Sequence, residues 1–407
     1  MFPRLRFKKF DGDWTAVTLE SLAEVERGKF SVRPRNDPRY FGGEMPFIQT
    51  GDVTGSDVYL KGYTQTLNDD GIRVSKVFPA DTILITIAAN IGDTTITQYP
   101  VACPDSVVAI QPKQDKVNTI FLKNVIDLQK DNLDSQATQN AQKNINLQVL
   151  KPLKLIVPLK EEQTQIASFL SAVDEKISQL TQKHALLSQY KQGMMQKLFS
   201  QQIRFKADDG GEFAKWEDSK LGELTTLITK GTTPSSLGEK YEESGINFIK
   251  IESLSSNGKF LLDKFAYIDE NTHNKLARSK LEHDDILFSI AGALGRVAII
   301  SRDYLPANTN QALAIIRLKD KKITRYIYYF LNSDYVKKII DAESVQLAQA
   351  NFSLGQLANL DVLVPCLEEQ TKIANFLSAI DQKIEVVAQQ IEQAKTWKKG
   401  LLQQMFI

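Results

Sequence analysis

Residues able to do chemistry are few in this chain, and their spacing does not favour it. The three histidines, His184, His273 and His283, have no second ligand at i+4 and no Cys-x-x-Cys pair nearby, which are the spacings a metal site uses. The two cysteines, Cys103 and Cys366, fall in no motif. That argues against a disulfide framework or a zinc site and fits a reducing cytoplasm. Adjacent carboxylates occur at Glu161-Glu162 and Asp284-Asp285, but neighbouring side chains point apart and make poor acid/base pairs. A nuclease cluster around Asp105 is not convincing. The sequence has no GxxxxGK[ST] phosphate loop, no GxGxxG turn and no Asn/Asp-Pro-Pro-aromatic tetrapeptide. The expectation is a scaffold and reader: no catalytic residue, no metal ligand and no cofactor of its own.

The 407 residues are 42% hydrophobic and 24% charged, enough for globular cores in two or three domains. No run of eighteen apolar residues spans a membrane, and the basic, aromatic Met1–Phe10 stretch lacks the apolar segment of a secretory signal. The net charge is only +1, which counts against a simple basic nucleic-acid binder. Nucleic-acid binding would need local basic patches or charge supplied by partner chains.

An internal repeat organises the chain. Residues 161–177, EEQTQIASFLSAVDEKI, match residues 368–384, EEQTKIANFLSAIDQKI, at 13 of 17 positions with an offset of 207. The offset carries on to Phe199 and Phe406, and back to Asn144 and Asn351, Leu150 and Leu357, Leu153 and Leu360, and Val157-Pro158 and Val364-Pro365. Further upstream it drifts. Gly92 falls on Gly295, Phe47-Ile48 on Phe248-Ile249, and Trp14 on Trp216.

The repeated segments read as long helices. Ile166, Leu170, Val173, Ile177, Leu180, Leu187, Met194 and Leu198 follow alternating steps of three and four, with His184 and Lys191 as polar entries. Ile373, Leu377, Ile380, Ile384, Val387, Ile391, Ala394, Leu401 and Met405 repeat the pattern, with Lys398 in the slot of Lys191. This is a coiled-coil seam, and two helices of matched length favour pairing with each other over burial against their own domains. Prolines 158 and 365 mark the starts, and the paired glutamates suit the helix dipole. Outside the helices, residues 81–97 and 284–301 are β-rich runs interrupted by glycine, with a bend or close backbone approach expected within a sheet. Further strands are expected at Ile110, Leu153–Val157, Ala312–Leu318 and Val362–Val364, and short helices at Asn118–Leu128 and Thr324–Leu331. The fold class is α+β: two tandem α+β domains separated by two long antiparallel helices that form a coiled coil, with pseudo-twofold symmetry. The expected divisions are 1–160, 161–203, 204–366 and 367–407. A helix of about 39 residues is ~58 Å long, so such a chain could present two reading heads to two DNA segments.

The doubled Glu-Glu-Gln-Thr-x-Ile-Ala-x-Phe-Leu-Ser-Ala opening, the Asn, Leu and Val-Pro residues before it, Leu221-Gly222-Glu223-Leu224 with Lys230–Pro234, and Phe41–Ile48 together resemble the DNA-specificity subunits of type I restriction–modification systems. The resemblance covers essentially the whole chain. It implies two target-recognition domains reading a bipartite, gapped DNA site, with the helices as spacer. It implies double-stranded DNA, two methyltransferase (modification) subunits and motor-nuclease (restriction) subunits as partners. S-adenosylmethionine, ATP and Mg would lie on those subunits, and the complex would be cytoplasmic. The alternative is a coiled-coil adaptor with two similar ligand-binding domains and no DNA.

Phosphate and base contacts draw on Arg, Lys, Asn, Gln, Ser and Thr. In the first domain the candidates are Lys29, Arg33, Arg35, Asn36, Arg39, Gln49 and Asn90. In the second they are Lys230, Thr232, Thr233, Ser235, Lys240, Lys250, Arg278, Lys280, Arg296 and Asn310. Any one of these taken alone is more simply a solvated surface charge. The loop after Gly28 resembles that after Gly231 in outline only. Gln163, Phe169, Gln370 and Phe376, off the seam, are expected to bind the methyltransferase subunits or to lock the adjacent domain.

Overall fold

The computed structural model describes residues 3–88, 90–138, 144–346 and 351–406. Two long helices dominate it, Lys160–Phe199 and Leu367–Met405. The chain forms two compact units, Met1–Gln182 with Ala388–Ile407, and Lys183–Val387, so the division falls inside both helices. Each unit holds one half of each helix. The N-terminal half of one lies with the C-terminal half of the other, so the helices run antiparallel.

In the first unit, a four-stranded antiparallel sheet has the order Ala23–Arg27, Val107–Pro112, Ile83–Thr86, Thr94–Ile96. A smaller sheet orders Gln65–Leu67, Phe41–Phe47, Val101–Ala102 and Val77–Phe78. A third pairing, Thr15–Thr18 with Lys154–Val157, closes the base of the domain just before the first long helix. The strand run Ile83–Thr86 is buried on both faces because each face has its own core. Ile83 and Ile85 join Phe121, Ile126, Leu170, Val173, Leu401 and Met405, while Leu84 joins Ile48, Phe78 and Val101. The seam residues Ile166, Leu170 and Val173 are therefore shared between coiled coil and domain core.

The second unit repeats this plan. Its larger sheet orders Thr225–Lys230, Leu313–Leu318, Ile286–Ser289 and Val297–Ile299, and its smaller one Ala266–Ile268, Ile246–Ile249 and Ala307–Thr309. Glu217–Lys220 pairs with Asp361–Val364. Met195 and Leu198 from the first helix and Ile373, Leu377 and Ile380 from the second complete its core. Met195, rather than the seam-predicted Met194, is the buried methionine.

The expected short helices are present as Thr119–Asp127, capped by the Asn118 side chain accepting from Phe121 N–H at 3.1 Å, and Thr324–Leu331. The glycine-interrupted runs are hairpins. Gly92 and Gly295 lie in the connections between antiparallel strands rather than within a strand.

The two lysines of the seam are paired. Lys191 Nζ meets Asp381 at 2.6 Å, and Lys398 Nζ meets Asp174 at 2.6 Å. These equivalent ion pairs fix the register of the helix halves at a position where an apolar residue would tolerate slippage. Among the described residues, no helix is long and apolar enough to cross a membrane, and no cluster of three or more His, Cys, Asp or Glu could hold a metal ion.

Candidate nucleic-acid interface

In the first unit the strand Ala23–Arg27 runs into a loop that passes directly beneath the turn at Cys103–Ser106. Gly28 permits this approach: a Cβ there would lie 2.3 Å from the Pro104 carbonyl oxygen. In the second unit Gly231 does the same beneath Thr309–Asn310, where a Cβ would lie 2.0 Å from the Thr309 oxygen. Gly28 N–H donates to Val107 O (2.9 Å) and Gly231 N–H to Leu313 O (3.3 Å). The two loops that looked alike only in outline thus share their first residue's role and their seat on the sheet.

Beyond that glycine the loops diverge. The first is anchored by Phe30, buried among Tyr40, Phe41 and Phe47. That anchor leaves Lys29, Arg33, Arg35, Asn36 and Arg39 exposed on one loop. Asp105, on the facing turn, gathers its arginines. Arg35 Nη2 donates to Asp105 Oδ2 at 2.8 Å, Arg33 lies 4.0 Å from it, and Arg27 Nε donates to the Asp105 carbonyl. Arg39 is held by Asp37 through a fork at 2.6–3.1 Å, which keeps the Asp37 carboxyl below the usual carboxylate range.

The second loop carries hydroxyls. Thr233 Oγ1 donates to Gln311, Thr232 N–H donates to Thr309 O at 3.1 Å, and Arg278 Nη2 donates to Thr232 Oγ1 at 2.9 Å. Asn310 Oδ1 accepts from Ala312 N–H (3.3 Å), closing the facing turn, and Lys280 Nζ donates to Asn274 Oδ1 (2.7 Å). Lys230, Ser235 and Lys240 are exposed on the same loop. Thr232, Thr233, Arg278 and Asn310 are therefore brought together from three separate stretches of sequence.

Other candidates fall elsewhere. Gln49 opens the short helix Thr50–Thr54, with its backbone N–H on Asp52 (2.8 Å) and its side chain on Gln65 (2.9 Å). Asn90 reaches the far end of that helix through Thr54 Oγ1 at 3.3 Å. Lys250 holds the position equivalent to Gln49, and its ammonium sits 5.5 Å from the Tyr241 ring centre. Arg296 has a structural role at one nitrogen: it is half-buried, and its Nη1 donates to the carbonyls of Ile251 and Leu254. Asp285 is also structural: it is buried, with both oxygens on Arg317 at 2.8 Å, and burial pushes its pKa up against that pull.

The helix openings hold the residues expected to bind partner subunits or to lock the adjacent domain. Gln163 and Gln370 are buried and face their own domains. Gln163 Nε2 donates to Pro158 O (2.9 Å) and its Oε1 accepts from Asn118 N–H (3.0 Å), while Gln370 Nε2 donates to Pro365 O (2.7 Å). These hydrogen bonds tie each helix opening to its own domain. Phe169 meets Phe7 and Trp397 edge-on at 5.9 and 6.0 Å, and Phe376 meets Phe205 at 5.6 Å. The glutamates predicted only to suit the helix dipole do more. Glu162 takes a two-bond fork from Arg6 (2.7 and 2.7 Å), and Glu369 takes one from Arg204 (3.1 and 2.7 Å). Sequence reading missed both arginines, although the repeated Arg-Phe at 6–7 and 204–205 was a usable signal.

A family model for the type I restriction modification DNA specificity domain matches residues 11–189 and again 214–396. The chain belongs to this family. It is 25% identical over 97% of its length to the specificity subunit of the type I restriction enzyme MjaVIII of Methanocaldococcus jannaschii, covering 94% of that protein. It is 22% identical over 96% of its length to the EcoBI specificity subunit of Escherichia coli, covering 84% of it. Its fold is similar to the type I restriction–modification S subunit of M. genitalium, with a TM-score of 0.62, 18% identity, and coverage of 100% of this chain and 99% of that one. The two matched segments correspond to the two copies of the repeat, and none of these relatives favours a non-DNA adaptor.

Proposed function

We propose that this chain is the non-catalytic specificity subunit of a type I restriction–modification complex, in which each unit reads one part of a two-part, gapped duplex DNA target. The observation that carries this reading is a shared framework with unlike loops. Gly28 and Gly231 seat equivalent loops on equivalent sheets, yet one loop is arginine-rich around Asp105 and the other is rich in hydroxyls around Thr309–Gln311. One scaffold presenting two chemistries suits two unrelated half-sites, since phosphate contacts position a reader while side chains that reach base edges specify the sequence.

Methylation and cleavage belong in this reading to partners: two methyltransferase (modification) subunits and motor-nuclease (restriction) subunits, with S-adenosylmethionine, ATP and Mg bound there, in the cytoplasm. Those partners also supply the cationic surface that a chain of net charge +1 lacks. The half-exposed Trp397 and the exposed Leu186 and Tyr190 on the long helices are apolar positions a partner can cover.

The test is modular exchange. Replacing residues 1–155 with the same region of another family member should change one half of the methylated motif and leave the other intact. A change in both halves, or in neither, overturns the two-reader reading.

A further inference from the structure

The first unit's loop holds three arginines and the strand leading into it ends on a fourth, and the structure separates them. Arg27 Nε is taken by the Asp105 carbonyl. Arg33 Nη1 donates to the carbonyls of Phe30 (3.2 Å) and Val32 (2.7 Å), shaping the loop's own backbone. Arg39 commits Nε and Nη2 to Asp37, two residues away. Arg35 differs from these three in its acceptor, the side chain of the facing turn: Nη2 donates to Asp105 Oδ2 at 2.8 Å, and the Arg35 side chain is 52% exposed. A guanidinium has five N–H donors in a rigid fork, so the rest of Arg35's fork remains to be used.

We infer that Arg35 reads a guanine in the major groove, with Asp105 as the residue that positions it and makes the contact selective. This rests on the reading of the first unit as a DNA reader. An arginine tied at one nitrogen has lost part of its rotamer freedom before DNA arrives, which lowers the cost of presenting its remaining donors in parallel to O6 and N7 of guanine. A phosphate could also accept such a fork, but Asp105 opposes it. A carboxylate 2.8 Å from the guanidinium repels an approaching phosphate anion far more than the uncharged acceptor edge of guanine. The same carboxylate, 33% exposed, can accept from the amino group of a neighbouring cytosine or adenine. In the second unit the corresponding turn carries the neutral Asn310, and its loop Lys230–Lys240 contains no arginine, so the device is specific to one half-site.

The experiment uses the complex purified from its host through a tag on this chain, challenged with a random-sequence duplex library whose bound fraction is sequenced at two salt concentrations. Wild type is compared with Arg35→Lys, Asp105→Asn and, as a control for a phosphate contact, Lys29→Ala. Arg35→Lys keeps the charge but loses the fork. It should relax preference at one guanine of one half-site by roughly 5- to 150-fold and leave every other position unchanged. Asp105→Asn should relax the same position and steepen the salt dependence, because a phosphate can then take the fork. Lys29→Ala should weaken all sequences alike. All three side chains are exposed or partly exposed, and unchanged thermal melting checks that the fold survives. The inference is overturned if Arg35→Lys weakens binding uniformly, if it changes nothing, or if neither wild-type half-site contains a guanine. A wild-type complex that enriches no motif at all would instead remove the DNA-reading proposal beneath it.

Discussion

Glu162 and Glu369 hold the same place in their units, but their surroundings differ. Both are buried and both take an arginine fork. Glu369 also accepts from Trp216 Nε1 at 2.9 Å, whereas the equivalent Trp14 Nε1 is buried with no partner among the described residues. The same contrast recurs at the seam. Asp381 receives Lys191 and the Tyr329 hydroxyl (2.7 Å), while Asp174 receives Lys398 and its Oδ2 is buried without a partner. The reverse occurs once: Gln163 Oε1 is satisfied by Asn118, and Gln370 Oε1 is not. In place of Tyr326 and Tyr329 the first unit has Phe121 and Asn124, and it packs Trp14 against the rings of Phe121 and Phe406. A second difference is covalent. In the second unit the first helix continues directly into Ile203-Arg204, with Ile203 N–H on Lys197 O at 3.3 Å. In the first unit the matching bond, Leu5 N–H to Gln404 O at 2.8 Å, joins the two ends of the chain. The two units share the framework and differ in the polar ties. The carboxylates at the helix opening and the seam are the better satisfied in the second unit, while both units pack their tryptophan against an aromatic cluster there.

The largest expected effect comes from removing the arginines. Arg6→Ala and Arg204→Ala each strand a buried carboxylate, a loss of about 3–5 kcal/mol for a broken buried pair. Arg6→Ala should fall at the upper end of that range, because Glu369 keeps Trp216 as a donor and Glu162 keeps no such tryptophan. Urea unfolding of the full chain measures this. Equal losses would mean that the Trp216 bond does not compensate.

A smaller effect separates the tryptophans. Trp216→Phe removes a donor from a buried carboxylate and should cost about 1–3 kcal/mol from the lost hydrogen bond alone. Trp14→Phe removes an N–H that is already unsatisfied and should cost clearly less. Thermal melting of the two variants decides the point, and the reverse ranking would refute the contrast between the units.

The smallest perturbation is chemical labelling, since each unit carries one cysteine. Cys103 is fully buried, and burial pushes its thiol pKa up to about 12. Cys366 is exposed. Iodoacetamide at neutral pH should label Cys366 at once and Cys103 only when the first unit opens. Mass spectrometry of both peptides against time then gives the opening rate of the first unit, and Arg6→Ala should raise it. Labelling of Cys103 as fast as Cys366 would contradict its burial.

The sequence by itself determined the duplication, the two long helices, their seam with a lysine in the same slot of each copy, and the α+β plan between them. These features are local and periodic, and they are written twice. The lysines at 191 and 398 were visible as polar entries, but their partners Asp381 and Asp174 lie on the other helix and appear only when the two chain segments meet. Arg6 and Glu162 are 156 positions apart, so no spacing rule connects them, and Glu162 seemed to serve the helix dipole alone. Asp105 seemed a failed catalytic residue until the loop seated by Gly28 brought Arg27, Arg33 and Arg35 to it. The candidate contact residues were selected from the sequence as cations, amides and hydroxyls. Which of them remain available was decided by tertiary structure, because a donor's availability depends on the acceptors that the fold places beside it: backbone carbonyls for Arg296, a neighbouring aspartate for Arg39, and a single oxygen of Asp105 for Arg35.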